Sequence, residues 1–571
     1  MSSTPIPVSP AERLKESSQH LRGSLLDELG TQTPEFSKPA TTLLKFHGIY
    51  QQTDRDLRKS GTKEHSFMIR IGIPGGQLTA DQYLQLDRLA DAVGDSTLRI
   101  TSRQDIQYHR VSKHELQDLL RAMDAVGLSS WAACGDVVRN TTAQASPLRA
   151  SEQAQILPYL LEISKELKPK SAAYAEVWVD GERAASFEGA EPEIEPLYGE
   201  TYLPRKFKIG FALEGDNATD VYSNDVGIVP DFSRDGLLQG FTILAGGGMG
   251  MSNGVKASHP RLADPVCYVA PEHLTATVKA IVTIHRDFGN RSNRKLARLK
   301  YVLDAWGVDK FTEELRLRVE HPLQAPKALT WQSATDPLGW HQQEDGNWFL
   351  GLRVVSGRIQ DDAQMNLRAA LRRIVELFQP EIRLTAQQNL LIAGVAEEYR
   401  GAVDLILSDN HVRQAAELPP VLRHSMACPA LPTCGQALTE AERVLPQIAE
   451  GIQAELDRAG LPREAVQVRV TGCPNGCARP FTAEIGIVGQ SVDLYSLYLG
   501  GSPVGTRLAY LFAHNLKRSE IPQTLAPIFS RFAKERPSSE SFGDWWHRSG
   551  SHTMSIEALA KVAEAPEQVV A

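Results

Sequence analysis

Two stretches of the chain, about 284 residues apart, repeat one order of strand, turn, helix and strand. In the first, HSFMIRIGIPGGQL reads as a strand closed by a Pro-Gly-Gly turn. A helix from Thr79 to about Val93 follows, with Thr79 as its cap. STLRITSRQDIQYHRV reads as the next strand, in which Arg99, Thr101 and Arg103 alternate and so share one face. A second helix opens near Ser112, where Ser-Lys-His-Glu has the spacing of a capping box. In the second stretch, DGNWFLGLRVVSGRIQ matches the first strand and turn, and a helix runs from about Ala363 to Phe378. EIRLTAQQNLLIAGV then lines up with TLRITSRQDIQYHRV, setting Arg383 against Arg99 and Gln387 against Arg103. An offset kept through three elements marks an internal duplication. It predicts an α/β (α+β) fold with mixed sheets about a pseudo-two-fold, and a ligand at the seam between the halves.

A second repeat relates SAAYAEVWVD plus YLPRKFKIGFALEGD to VQVRVTGCPNGCARPFTAEIGIVG, each read as strand, break and strand. In this register the first copy presents lysines where the second presents cysteines. Four of the six cysteines gather here: Cys428 and Cys434 in MACPALPTCG, then Cys473 and Cys477 in VTGCPNGCARP. Soft, anionic thiolates suit an iron–sulfur cluster or tetrahedral zinc. Zinc knuckles usually take shorter or different spacings, so C-x5-C with C-x3-C favours a cluster and leaves zinc open. The Gly- and Pro-bearing turns let the backbone approach a bulky group closely.

Composition narrows the partners. A formal net charge of −8 argues against a nucleic-acid binder. No run of about 20 apolar residues exists, so no membrane span is expected. The N-terminus lacks the apolar core of a secretory signal, and a thiol quartet suits a reducing compartment, which points to the cytoplasm. Against the acidic background, basic residues gather at Arg70, Arg99, Arg103, Arg139, Arg205, Lys206 and Lys208, and in the run holding Arg291, Arg294, Lys295, Arg298 and Lys300. Such gathering fits a buried polyanion, because buried charge must be paired and the arginine fork matches a carboxylate. Solvated basic faces are the plainer alternative. FTILAGGGMGMSNG lacks both the dinucleotide fingerprint and the Walker lysine, so its glycines read as a tight turn. The basic run is read as part of a helix carrying HRDFGNRSNRKLARLKYVLDAWG. Residues to about 40 read as a mobile polar arm with one short helix between Pro10 and Leu29. The tail from about Ala513 reads as helical, with Trp545 and Trp546 given no chemistry, and Cys134 and Cys267 read as core cysteines.

Four motifs, FHGIYQQTDRD, TYLPRKFKIG, NRSNRKLARLKY and TGCPNGCARP, resemble those of the sulfite/nitrite reductase family. The resemblance runs from about residue 20 to about residue 555. It implies a duplicated fold of three domains that binds one siroheme and one 4Fe–4S cluster. Cys428, Cys434, Cys473 and Cys477 would hold the cluster, and Cys477 would also ligate the siroheme iron. Arg70, Arg139, Lys206 and Lys208 would line the distal face as the catalytic cations. Adjacent lysines lower one another's proton affinity, which favours proton donation. Arg99, Thr101, Arg103, His109, Arg205 and Arg298 would surround the macrocycle's carboxylates, with Gln388 and Asn389 as secondary contacts. His47, Tyr50, Asp54 and Arg55 would form a supporting shell, and the triple glycine a backbone cradle.

The activity implied is the six-electron reduction of sulfite to hydrogen sulfide, a step of sulfate assimilation and cysteine biosynthesis. Nothing in the chain resembles an NADPH or flavin domain, so electrons would come from an NADPH-dependent flavoprotein (alpha) subunit docked by the N-terminal segment. A ferredoxin-dependent sulfite reductase, an assimilatory nitrite reductase with the same cofactors and a cofactor-binding protein without turnover are the alternatives. The expected segments are 1–64 as an arm, 65–132 with 340–415 as ferredoxin-like halves, 133–339 as the siroheme domain and 416–571 as the cluster domain. Two positions depart from the family pattern. Gly72 stands where relatives carry the second arginine of Arg-x-Arg, and the first cysteine loop reads CPALPTC.

Overall fold

In a computed structural model of the chain, the described residues are 8–58, 61, 63–175 and 195–551. They group into two units, one of Met1–Gly248, Ala263–Trp331 and Asp336–Arg413, the other of Met249–Leu262, Gln332–Thr335 and Gln414–Ala571. The boundaries of these two units are not those of the four segments expected from sequence. Of the segment 133–339, residues 249–262 and 332–335 belong to the second unit and the rest to the first.

The first unit opens with helices α1 (Pro10–Glu16), α2 (Leu25–Leu29) and α3 (Lys38–Leu43). The continuous helix expected over Pro10–Leu29 is broken where Gln19, His20, Leu21 and Gly23 take positive φ. From Val8 on, the arm is packed rather than mobile. Leu21, Leu25 and Phe36 enter the core. Lys15, 1% exposed, donates to the Leu203 carbonyl at 2.7 Å and pairs with Glu12. Those contacts satisfy a buried ammonium that burial would otherwise neutralise.

The duplication is plain in the strands that follow. These are β1 (Ile49–Thr53), β2 (His65–Ile71), β3 (Gln77–Leu78), β4 (Leu98–Ile100), β5 (Ile106–Val111), β6 (Ile209–Phe211), β7 (Val226–Phe232), β8 (Leu238–Ala245), β9 (Asp264–Val269), β10 (Gly339–Gln342), β11 (Trp348–Leu352), β12 (Arg358–Ile359), β13 (Glu381–Leu384) and β14 (Leu390–Val395). One sheet runs β1-β2-β5-β4-β12 and another β10-β11-β14-β13-β3. Each half thus lends a two-residue strand to the other's sheet: Leu78 pairs with Ile382, and Ile359 with Leu98. At both crossings a glycine with positive φ is required. A Cβ on Gly76 would stand 2.5 Å from the Leu384 oxygen, and one on Gly357 2.3 Å from the matched Ile100 oxygen.

Registers fix the offset. Ile106 matches Leu390, 284 residues on, but Ile71 matches Leu352, 281 residues on. The three extra residues lie before α9 (Leu367–Phe378), which starts later than the expected Ala363; α4 is Ala80–Val93, α5 Leu116–Asp124, α6 Ala150–Glu166, α7 Leu274–Phe288 and α8 Leu299–Arg316. The Thr79 capping box on α4 forms with Gln82, and Ser112 and Glu115 form theirs ahead of α5. Thr79→Ala is expected to lower stability by about 1 kcal/mol, read as a shifted denaturation midpoint. Helices α4 and α9 are joined by a buried ion pair, Arg368 Nε to Asp87 Oδ1 at 2.6 Å, with Arg372 on the other carboxylate oxygen.

Three expectations are corrected. STLRITSRQDIQYHRV is not one strand but the hairpin β4–β5, whose loop is closed by Thr101 N–H donating to the Asp105 carbonyl. Arg99 alone of its three residues is in a strand, so they do not share a face by alternation. The basic run is not helical throughout: α7 ends at Phe288, and residues 289–298 form a loop and a short 3-10 turn before α8. The tail begins as a strand, Tyr510–Lys517, and becomes helical at Ile521. The strand expected in SAAYAEVWVD lies from residue 176 on outside the described residues.

The second repeat is real but differently registered. In the first unit β6 lies parallel to β7, and β8 and β9 follow antiparallel. In the second unit the sheet is β15 (Ser425–Ala427), β16 (Val468–Thr471), β17 (Ile485–Ser491), β18 (Leu494–Leu499) and β19 (Tyr510–Lys517), with β16 parallel to β17 and the last two antiparallel. Ile209 opposite Val226 matches Val468 opposite Ile485. Lys206 and Lys208 thus enter a strand, whereas Cys473 and Cys477 leave one, and the two sets are not equivalent.

Candidate functional site

The second unit brings the cysteines together by strand direction. β15 and β16 are parallel, Ser425 beside Val468 and Ala427 beside Val470, so both cysteine loops leave the same end of adjacent strands. Cys428 N–H donates to the Val470 carbonyl, and Gly472 N–H donates to Cys428 Sγ at 3.4 Å. A Cβ on Gly472 would stand 2.5 Å from both the Ala430 Cβ and the Thr439 oxygen, so glycine is what lets the two loops close. Met251 N–H donates to the Pro474 carbonyl, which laces residues 249–262 over the second loop.

Cys428 and Cys473 are buried, Cys434 is half-buried and Cys477 is exposed. Burial, then the neighbouring Cys477 sulfur, pushes the Cys428 thiol well above its ordinary range and Cys473 up to about 12. Each feels the other cysteines, so the four sulfurs are electrostatic neighbours. As free thiols Cys428 and Cys473 stay protonated; a cation-rich guest would take them as thiolates and release their protons. Among the described residues no three His, Cys, Asp or Glu side chains converge on a single-ion position. The donor set fits a multi-iron cluster, whose thiolates bind separate iron atoms, better than mononuclear zinc.

In the first unit, the RKFK stretch lies alongside residues 136–142. Phe207 N–H donates to the Val137 carbonyl and Arg139 N–H to the Phe207 carbonyl. Phe207 is fully buried and Lys206 and Lys208 are half-buried beside it, so the lysines lie away from the core. Lys208 N–H donates to Asp225 Oδ2, and the same carboxylate pairs with Arg298 Nη2 at 2.6 Å. Lys300 donates to the Gly248 carbonyl; burial, then Arg298, brings its pKa down to about 7, with Lys206 contributing. Gly248 meets the guanidinium of Arg298 so closely that a Cβ would stand 2.7 Å from it. The triple glycine therefore lets β8's exit pack against Arg298.

Arg70 lies on β2 beside Gln107, whose amide, once turned to present its oxygen, accepts from Arg70 Nη2 at 2.7 Å. Arg139 donates to the Gly135 carbonyl through Nε and Nη2. Arg103 donates to Asn224 Oδ1 and to the carbonyls of Asn140 and Ile209, which ties the β4–β5 loop to β6. Arg99 and Thr101 are buried in the same hairpin. Asn389 faces Arg353 and Asp336, and Gln388 occupies a positive-φ position beside it. Arg205 has its pKa lowered by burial, with Arg294 and Arg139 adding to the effect. Burial alone would raise Asp136, but Arg294 and Lys15 bring it down to about 2.

Burial, then Cys134, pushes Tyr50 up to about 12, and Arg139 and Arg70 act on it too, which sets this tyrosine beside these two arginines. His109 is buried and neutral, its pKa well below the ordinary value, and neither ring nitrogen has a partner among the described residues. A buried ring with an unused N–H fits an acceptor-rich guest such as a polycarboxylate. Sequence reasoning missed Asp105 and Asp136, whose signal was proximity to arginines that only folding creates. A cavity of about 30 Å³ lies beside Arg139, lined also by Gly72, Asn140, Trp131 and Lys168. Gly72 has no positive φ, and its nearest Cβ contact would be 3.7 Å away, so Gly72→Ala is expected to change stability by no more than about 0.5 kcal/mol in a melt.

The family model for the nitrite/sulfite reductase ferredoxin-like half domain matches twice, at residues 58–126 and 341–409. The model for the nitrite and sulphite reductase 4Fe-4S domain matches residues 163–323. That span covers the first copy of the second repeat rather than the cysteine quartet. The chain is 44% identical over 95% of both sequences to a sulfite reductase (NADPH) hemoprotein beta-component of Chromohalobacter salexigens. It is 42% identical to one of Myxococcus xanthus, over 96% of this chain and 98% of that one. To a sulfite reductase (ferredoxin) of Synechococcus elongatus it is 41% identical, over 99% and 93%. The solved structure of the Mycobacterium tuberculosis NirA protein shares the fold, with a TM-score of 0.78 at 22% identity over 97% of this chain and 98% of that one. Matched twice by one half-domain model and aligned end to end with these relatives, the chain belongs to the nitrite and sulfite reductase family.

Proposed function

We propose that the chain is the hemoprotein subunit of an NADPH-dependent assimilatory sulfite reductase, acting in the cytoplasm and reducing sulfite to hydrogen sulfide with electrons from a flavoprotein subunit. The observation that carries this reading is that both cysteine loops leave the same end of two adjacent parallel strands, in a chain 44% identical to a hemoprotein beta-component. Cys428, Cys434, Cys473 and Cys477 would hold a 4Fe–4S cluster, with Cys477 shared with siroheme iron. Arg99, Arg205 and His109 would meet siroheme's carboxylates. When bound, these groups supply the one-electron transfers and an open iron position.

The protein's own part is charge and protons. Arg70, Arg139, Lys206 and Lys208 would hold the sulfite dianion and offset negative charge as electrons arrive. Each sulfite oxygen leaves as water and needs protons, and lysines clustered with other cations release them more readily. Lys300, its pKa brought down to about 7 and lowered in part by Lys206, would serve as a further proton carrier.

The Synechococcus relative favours ferredoxin as a second reading of the donor. Anaerobic assays of the purified chain with sulfite and nitrite, each with flavoprotein and with ferredoxin, decide both questions. We expect strong visible siroheme bands and sulfite turnover fed by the flavoprotein. A colourless protein carrying zinc at the quartet would overturn the reading.

A further inference from the structure

The two halves of the duplicated fold differ at one matched pair of positions. In the second half Arg353 Nη1 donates to Asn389 Oδ1 at 2.8 Å, and Asn389 Nδ2 donates to Asp336. The registers match Arg353 to Gly72 and Asn389 to Asp105. The first half therefore has no arginine at the position matched to Arg353, and carries an acid at residue 105 where the second half carries an amide. Asp105 is 1% exposed, and its Oδ1 accepts no hydrogen bond among the described residues. Its Oδ2 lies 3.8 Å from Arg70 Nε. The charged groups that face it are Arg70 on β2, Arg103 in its own loop and Arg139 in the segment beside β6, with the Asn140 amide as the neutral neighbour. Burial outweighs these arginines and leaves its pKa up at about 6.

We propose that Asp105 is a positioning residue that governs how freely Arg70 meets an anionic substrate. The ionised carboxylate draws the guanidinium to itself and cancels part of its charge. The protonated acid releases it. This rests on the reading of the chain as a sulfite reductase. The sign follows: below the transition Arg70 acts at full charge and the anion binds more tightly, and above it the Michaelis constant rises.

The test compares wild-type holoenzyme with Asp105→Asn, and with the smaller Asp105→Ser, in sulfite turnover driven by chemically reduced viologen from pH 5 to 8. Every enzyme meets the same sulfite–bisulfite equilibrium, so the ratio of kcat/KM, variant over wild type, removes the substrate's own titration. We expect a ratio near one at the acid end, rising about 5- to 10-fold through pH 6 to a plateau, with unchanged cofactor spectra. A ratio flat with pH in a variant of normal spectrum overturns the proposal. If neither variant folds, the wild type decides with nitrite, whose charge is constant in this range: its KM must rise between pH 5 and 7, and a constant KM overturns the proposal. A wild-type protein with no siroheme bands and no turnover brings down the sulfite-reductase reading itself, and the proposal with it.

Discussion

Cys477→Ser is expected to eliminate the coupled cofactor spectrum and sulfite turnover, with at least about a hundredfold loss of activity. The cysteine lies in the loop between β16 and β17, seven residues past Val470, the last residue of the parallel pairing that aligns the two cysteine segments. Its three companions are buried or half-buried and it is exposed, which suits a ligand shared with a second group. A serine hydroxyl is a hard donor and stays protonated at neutral pH, so it replaces the shape of the cysteine but not its soft, anionic sulfur. The loop's backbone contacts, such as Arg479 N–H to the Gly476 carbonyl, do not involve the side chain. The protein should therefore fold around an altered metal site. Visible absorption and viologen-driven turnover check the result together, and a normal spectrum with full activity would refute the assignment of this ligand.

Lys206→Ala should separate chemistry from cofactor binding. The residue precedes Phe207, whose burial and backbone bonds to Val137 and Arg139 anchor the stretch whatever stands at position 206. Removing the ammonium deletes one cation from the proposed substrate-binding group and, on that proposal, one source of protons. Loss of a positioned proton donor costs about a hundredfold to ten-thousandfold in rate. We expect siroheme and cluster spectra to persist while kcat for sulfite falls by that order. Lys206 also helps depress Lys300, so the proton affinity of Lys300 should rise in the variant and move the alkaline limb of its pH profile upward. Steady-state kinetics indistinguishable from wild type would end the role given to this lysine.

Much of this was legible in local sequence. Thr79 announced its helix as a capping residue, and Ser112 announced the next because its reciprocal glutamate lies three residues on. The duplication showed as a shared offset, although three extra residues before α9 were hidden inside it. The hairpin turn in TSRQD was missed because it uses Gln104 at positive φ, with no glycine or proline to mark it. The register of the second repeat was missed because Phe207 between two lysines looks like a strand from within, and only parallel pairing shows that β6 starts at Ile209.

The sequence by itself determined which side chains were available: four thiols at cluster spacing, a surplus of cations in an acidic chain, and two copies of one α/β pattern. Tertiary structure decided what those side chains meet. Leu78 finds Ile382, Arg103 finds Asn224, and Asp105 finds Arg70 with no partner arginine at position 72. Periodicity and capping act over a few residues and can be read along the chain. Pairings across hundreds of residues are selected by burying apolar faces and satisfying every backbone group at once, and no single stretch records that outcome.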